Sequence, residues 1–148
     1  MPSEEVQINN TQSRIFEERL SNSLNPKHKL YKLRSIVDWC GLDERIFGKV
    51  SVKRYGRSRK DRRVMLGLFM LQAISSASDC YTEEELQENS YWQYFCGYDY
   101  FKNDIIVSES CIRRFRQALG ESGCREILKE LVRIGCKIGT VKKKIWQP

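Results

Sequence analysis

The segment from Val64 to Ile74 constrains the fold of this chain most, because its apolar side chains point in every direction around a helix. A helix that is apolar on all sides is normally buried. We therefore expect a central helix here, around which the other elements pack. Three prolines and nine glycines in 148 residues leave few of the turns that an all-β fold needs. The sequence thus predicts an all-α fold, a small multi-helix domain with a helix-turn-helix-like element.

The chain divides into three predicted parts. Residues 1–13 are polar and without periodicity, which predicts a disordered N-terminal arm. Residues 14–138 are expected to form the helical domain, and residues 139–148 a basic tail that is not anchored to it. No apolar run reaches the roughly 18 to 20 residues needed to span a bilayer, and the N-terminus is unlike a signal peptide. We expect a cytoplasmic protein without a membrane partner.

Local patterns predict where individual helices begin and end. One helical face, ending at Gly41, is formed by Leu30, Leu33, Val37 and Cys40. Asp43 is expected to cap a second short helical piece that runs through Phe47. Thr82, followed by Glu85 three positions later, matches a capping box and predicts a helix start.

Two features of the C-terminal half complete the predicted fold. Ser108 is a good N-cap for a helix that Gly120 ends, and a last helix is expected from about Ser122 to Ile138. The aromatic-rich stretch from Tyr91 to Phe101 has acidic neighbours. Aromatic side chains that stack on bases are usually interleaved with basic residues, so we interpret these rings mainly as core.

A basic segment lies directly before the apolar helix. From Lys49 to Arg63 it holds eight basic residues and one acidic residue. Unpaired cations are too costly to bury, so this segment is expected at the surface, where it favours polyanions. The predicted phosphate contacts are Lys53, Arg54, Arg57, Arg59, Lys60, Arg62 and Arg63. The alternative is a solvated run or linker that binds no phosphate.

The helix after Ser108 carries a second set of candidate DNA-binding residues. Opposite its apolar face, or at its flank, it presents Arg113, Arg114, Arg116 and Gln117, the candidates for contacts in a DNA groove. The alternative is that these arginines pair with Glu109, Glu121 or the acidic region of the chain and hold the fold. That region, from Asp79 to Glu109, contains eight acids and only Lys102 as a base.

Residue types that carry out catalysis or bind metals are sparse. The six cysteines are scattered without a C-x-x-C pair, and His28 is the only histidine, so we expect neither a zinc site nor a Cys/His catalytic pair. A metal-dependent nuclease site made of Asp99, Asp104 and Glu109 is a further alternative. Loop carboxylates at such spacing seldom act in catalysis without convergent geometry.

Several stretches together resemble one family. They are Phe16 to Leu20, Leu24 to Leu33, Val37 to Trp39, the Gly56-Arg57 turn, Glu88 to Gly97 and Ser110 to Arg116. In this order they resemble the N-terminal domain of bacterial insertion-sequence transposases with a DDE catalytic domain, in the broad insertion-sequence-five group. The resemblance implies an all-helical domain that helps to bind the terminal inverted repeats of the element and to assemble the transposase.

In that family the chemistry lies downstream, in an RNase H-like domain whose Asp, Asp and Glu hold two divalent metal ions. Residues Lys144 to Pro148 depart from the family pattern, which predicts a truncation or a frameshift before the strand with the first Asp. We therefore expect no catalytic residue, metal site or cofactor in this chain.

The resemblance and the charge pattern together predict the partners. The leading hypothesis is a DNA-binding module that contacts duplex DNA near the nucleoid and takes no small-molecule substrate. The alternative is a protein-interaction module that forms a homo-oligomer, or pairs with intact transposase, and damps transposition.

Overall fold

The computed structural model describes residues 18–48, 59–105 and 107–138, with only the backbone given for residues 59–61. These ranges contain seven helices and no strand, which confirms the all-α prediction. The helices are α1 (Leu20–Ser23), α2 (Lys29–Ile36), α3 (Trp39–Phe47), α4 (Arg59–Ser75), α5 (Asp79–Glu88), α6 (Ser90–Phe95) and α7 (Glu109–Lys137). The predicted arm, residues 1–13, and the predicted tail, residues 139–148, lie outside the described residues.

Helix α4 occupies the centre of the domain, as its apolar pattern predicts. Its side chains from Val64 to Leu71, Gly67 aside, belong to the buried core together with Leu42, Phe95 and Ile112. The last turn does not follow the prediction, because the Ile74 side chain is 52% exposed. The core therefore covers the helix as far as Leu71 and leaves its last turn at the surface.

The break between α2 and α3 differs from the prediction. Helix α2 ends at Ile36, and Val37 is extended, whereas a continuous helical face through Cys40 was expected. The side chain of Asp38 caps α3 by accepting a hydrogen bond from the Gly41 N–H at 3.1 Å. A carboxylate that satisfies a free N–H starts a helix, so Gly41 lies inside α3. The predicted cap at Asp43 was wrong.

Helix α5 begins earlier than the capping-box pattern predicts. The Ser78 hydroxyl oxygen accepts a hydrogen bond from the Tyr81 N–H at 3.1 Å, which makes Ser78 the N-cap. Thr82 is fully buried in the next turn, and its hydroxyl donates to the Ser78 carbonyl at 2.7 Å. The predicted cap at Thr82 was therefore wrong. A serine four positions upstream offered the same acceptor with space for another helical turn.

Helices α4 and α5 have the geometry of a helix-turn-helix. Three residues, 76–78, join them, and the chain bends by 114° between the two helices, within the usual 90–120°.

Among the described residues, no helix is by itself long and apolar enough to cross a membrane. The bent pair of α4 and α5 meets the requirement for length and composition only when both helices are counted together.

The predictions for α7 are confirmed, whereas the aromatic stretch is core only in part, because Phe101 is 38% exposed and its four tyrosines are half-buried. Ser108 caps α7 by accepting from the Cys111 N–H, and Gly120, at φ 64° and ψ −172°, breaks the helix. That backbone conformation is essentially restricted to glycine. Trp92 and Phe95 are buried in the core, as the acidic surroundings of the aromatic stretch predicted.

Candidate nucleic-acid interface

The predicted phosphate-binding segment is only partly described. Lys53, Arg54 and Arg57 lie outside the described residues, and Arg59 and Lys60 form the start of α4, where only the backbone is given. The positive end of a helix dipole lies at its N-terminus. The positive end of α4 therefore follows the basic segment in the chain, and its first three residues are two bases and the acid Asp61.

Arg62 has partners inside the domain. Its side chain is 9% exposed, and its guanidinium makes two hydrogen bonds to Asp43, Nε to Oδ1 at 3.0 Å and Nη2 to Oδ2 at 3.2 Å. It also lies over the Phe47 ring, 4.9 Å from the centroid. Bidentate pairs of this kind fix geometry. Arg62 thus joins α3 to α4, and we remove it from the proposed phosphate contacts.

Arg63 lies against the core. Its guanidinium carbon is 3.1 Å from the centroid of the Trp39 ring, a cation–π contact. Burial lowers the pKa of Arg63 to about 10, and the positive charge of Arg34 acts in the same direction. Its Nη1 is buried without a hydrogen-bond partner among the described residues. The side chain lines a cavity of about 200 Å³ together with Trp39, Cys40, Asp43, Glu44 and Leu66.

On α7, Arg116 pairs with an acid of the domain, which is the alternative in which its charge stabilises the fold. Its Nη1 donates to Asp79 at 3.1 Å, and its Nη2 donates both to Asp79 and to the Gln72 side chain, the latter at 3.0 Å. The hydrogen bond to Asp79 raises the pKa of Arg116, and the same bond is the main reason that the pKa of Asp79 is lowered. Arg116 therefore connects α7 to the turn between α4 and α5.

The other three groove candidates lie on the outer face of α7. Arg113 is 59% exposed and its Nη2 is 3.5 Å from Glu109, a surface pair that contributes little. Arg114 is exposed, and the hydrogen bond from its Nε to the Ser110 carbonyl is long, at 3.4 Å. Gln117 is also exposed. These side chains can reach a macromolecular partner without disrupting the core.

The structure also presents a basic surface that sequence reasoning missed. Three lysines are exposed, Lys27 just before α2 and Lys29 and Lys32 on it, and none has an ion-pair partner among the described residues. The sequence did contain a signal for this surface, namely a lack of acids. Residues 19–37 contain five lysines and arginines but no aspartate or glutamate. These bases are spread out, and they stand out less than the dense run that follows.

Aromatic contacts fix the orientation of α2. His28 stacks on Tyr91 with ring centroids 3.7 Å apart, Tyr31 stacks on Tyr94 at 4.7 Å, and the Arg34 guanidinium lies 4.1 Å from the Tyr94 ring. No residue of α2 is fully buried. These contacts hold one side of α2 on α6.

Charge excludes α5 as a DNA-reading helix, although it has the position of one in the helix-turn-helix. Its five acids are Asp79, Glu83, Glu84, Glu85 and Glu88, and it contains no base. DNA phosphates would repel such a helix. The geometry of the motif is present, whereas its usual electrostatics are reversed.

The described residues offer no metal site. Within residues 18–48, 59–105 and 107–138, no three His, Cys, Asp or Glu side chains converge in a way that could hold a metal ion. Asp99, Asp104 and Glu109 therefore do not form the metal-binding cluster considered as an alternative. They therefore do not form a site like the one with two divalent ions that the resemblance places in the DDE domain.

Comparison with known proteins identifies the family. Residues 18–118, well over half of the chain, match the family described as Transposase domain (DUF772). The chain belongs to this transposase-domain family, in agreement with the resemblance of its sequence to transposases. It is 31% identical over 128 residues to the "Uncharacterized protein ORF8 in nfe locus" of Rhizobium meliloti. The match covers 86% of this chain and 61% of that relative. No solved structure matches.

Proposed function

We propose that this chain is a DNA-binding part of a transposase that contacts duplex DNA at the terminal inverted repeats of a mobile element. The observation that carries the proposal is the exposed lysine surface of α2, formed by Lys27, Lys29 and Lys32, in a member of the transposase-domain family. Lysines without acidic partners release counterions when they meet phosphates, and this release drives DNA binding.

The C-terminal end of α2 and the first turns of α4 meet at Trp39. Trp39 connects them, because its indole N–H donates to the Arg34 carbonyl at 3.0 Å while Arg63 covers its ring. Helix α2 has eight residues and is about 12 Å long at 1.5 Å per residue. This length is comparable to the span of a few successive phosphates on one strand.

The acidic α5 supports one orientation of the duplex. A duplex bound through the α2 lysines meets unpaired positive charge, whereas a duplex placed over α5 meets five carboxylates. Under this proposal, Arg114 and Gln117 supply contacts to bases or backbone, and Arg116 positions α7. We further propose that this chain cleaves no DNA by itself, that it needs no cofactor, and that DNA binding places it at the nucleoid.

Fluorescence anisotropy tests the proposal directly. Labelled duplexes, one carrying the terminal repeat of the element and one scrambled, are titrated with the protein at several salt concentrations. We expect Lys27→Ala, Lys29→Ala and Lys32→Ala together to weaken binding to both duplexes. The slope of log affinity against log salt should fall by about 0.9 for each lost phosphate contact. A second triple variant, Arg57→Ala, Arg59→Ala and Lys60→Ala, tests the basic segment from Lys49 to Arg63 in the same way.

A matched control removes the same charge elsewhere. Lys102 and Lys137 are exposed and lie outside α2, so their joint replacement by alanine should cost less binding than the joint replacement of Lys29 and Lys32, which removes the same charge. An equal loss in the control would show that only the net charge matters, and would overturn the α2 assignment. A wild-type protein that binds neither duplex at low salt would overturn the DNA-binding proposal itself.

A further inference from the structure

The second half of α7 carries an apolar stripe that its own domain leaves partly uncovered. Its members, spaced alternately four and three residues apart, are Cys124, Leu128, Leu131, Gly135 and Ile138. The side chains of Leu128 and Ile138 are 55% and 52% exposed. The neighbouring stripe with Ile127 and Ile134 is buried in the core. This half of α7 therefore has one apolar side for its own domain and another that faces outward.

Basic side chains border the outward stripe. Arg125 and Lys129 lie one turn apart beside Leu128 and Val132, and their side chains are 62% and 57% exposed. Each has one acidic neighbour on the same helix, Glu121 at 3.0 Å and Glu126 at 3.3 Å; such exposed pairs are weak. We call Arg125, Leu128, Lys129 and Val132 the α7 face.

A surface of opposite charge lies on α5. Tyr81, Glu84, Glu85 and Glu88 are spaced at i, i+3, i+4 and i+7 and so share one side of the helix. Tyr81 is 49% exposed, and Glu84 and Glu88 are exposed as well. No basic residue occurs in this helix. We call these four residues the α5 face.

We infer that the α7 face of one copy of this chain docks against the α5 face of a second copy. Each face has one large exposed side chain, Leu128 or Tyr81. The α7 face carries two bases, each shared with a glutamate of its own helix, whereas the three carboxylates of the α5 face have no base in their helix. Pairing α5 with α5 would bring carboxylates together. Pairing α7 with α7 would offer Arg125 and Lys129 only Glu121 and Glu126, which already have a base of their own helix as partner. Like charges that face each other across an interface are unfavourable, so the mixed contact is the favourable one.

The contact is heterologous, because it joins two different surfaces of the same chain. The α5 face extends about 10 Å from Tyr81 to Glu88, and a similar length of α7 separates Arg125 from Val132, at 1.5 Å per residue. Two short helices bury less area than a standard stable interface. The association is therefore weak, reversible and sensitive to salt. It is independent of DNA binding and does not rest on the proposed function.

Charge exchange tests this contact in the absence of DNA. The first variant carries Arg125→Glu and Lys129→Glu, and the second carries Glu84→Lys and Glu88→Lys. Sedimentation velocity over a range of protein concentrations should show self-association of the wild type, and each variant alone should lose it. An equimolar mixture should associate again, because the acidic α7 face of one variant then meets the basic α5 face of the other. A chain with all four changes should also self-associate.

Two further variants make the result specific. Lys27→Glu with Lys32→Glu reverses the same number of charges on α2 and should leave association unchanged. Leu128→Gln should weaken association without lowering the melting temperature, because the side chain is already 55% exposed. A wild type that stays monomeric at the highest concentration would overturn the inference. The inference would also be overturned if neither the equimolar mixture of the two double variants nor the chain with all four changes self-associates.

Discussion

The side chain of Gln93 pairs with the backbone of Lys102 in both directions. Its Nε2 donates to the Lys102 carbonyl at 2.9 Å, and its Oε1 accepts from the Lys102 N–H at 2.9 Å. The same Nε2 donates to the Leu86 carbonyl at 3.0 Å. Gln93 is fully buried, so this fully paired amide holds the loop before α7 against α5 and α6.

Replacing Gln93 by leucine should destabilise the domain. The change keeps a similar volume but removes three hydrogen bonds. A buried polar group left without a partner costs roughly 1 to 3 kcal/mol. We expect a loss of at least that size in the free energy of unfolding, measured by urea denaturation. Gln87→Leu is the matched control, because Gln87 is exposed on α5 and its replacement should change stability little. Equal effects of the two variants would contradict the role of Gln93.

Glu130 provides a second test of a buried polar contact. It is 2% exposed and accepts hydrogen bonds from the Asp38 N–H and Arg45 Nη2, each at 3.1 Å, and from Arg133 Nε at 3.0 Å. It thereby joins α7 to α3. Glu130→Gln should lower the free energy of unfolding by roughly 1 to 3 kcal/mol. The control is Glu121→Gln, at a side chain that is 89% exposed.

The contribution of Glu130 should depend on pH in a defined direction. Burial alone would raise the pKa of Glu130, but the Arg133 hydrogen bonds, the Asp38 N–H and the charge of Arg45 outweigh it and lower the pKa. The stabilisation is therefore complete above the unfolded value, about 4.3, and is lost as pH falls through the folded pKa. The difference between wild type and Glu130→Gln should shrink over that acidic range. A difference that stays constant would contradict the ion-pair explanation.

Gly120 should resist substitution for a backbone reason alone. At φ 64° and ψ −172° it occupies a region essentially restricted to glycine, and a Cβ added there would meet no atom within 4 Å. Gly120→Ala should thus cost about 1 to 3 kcal/mol through strain and not through a clash. Thermal unfolding measures the loss. Ser110→Ala, at an exposed helical position of α7, should leave the melting temperature nearly unchanged, and an equal shift in both variants would exclude the strain explanation.

Arg114 and Arg116 should respond differently to mutation if the proposed function holds. Arg114→Ala should reduce the preference for the terminal repeat over scrambled duplex by about 1 to 3 kcal/mol if the guanidinium reads a base, with the melting temperature unchanged. Arg116→Lys breaks the bidentate contact with Asp79, so it should lower the melting temperature and weaken binding equally on both duplexes. Anisotropy and thermal unfolding of the same samples separate the two effects. A loss of discrimination in Arg116→Lys alone would reverse the assignment.

Local patterns predicted part of the fold correctly. The apolar segment after Arg63 identified the central helix, Ser108 identified the start of α7, and Gly120 identified the break in α7. Each of these depends on side-chain periodicity, on a local cap or on the backbone freedom of one residue. The caps at Asp38 and Ser78 were missed. Neighbouring acceptors, Asp43 and Thr82, offered the same chemistry a few positions away, and local sequence could not distinguish which acceptor the packed helix would use.

By itself, the sequence determined the all-α class, the buried central helix, the opposite charges of the two regions and the resemblance to transposases. These properties follow from composition, from the helical period and from short stretches. Only the tertiary structure decided the role of individual charges. Arg62 meets Asp43, Arg116 meets Asp79, and Glu130 meets the Asp38 N–H across separations of 19, 37 and 92 residues. Whether a cation holds the fold or remains free for a partner depends on such distant contacts, because desolvation and pairing are set by the groups that surround it in space.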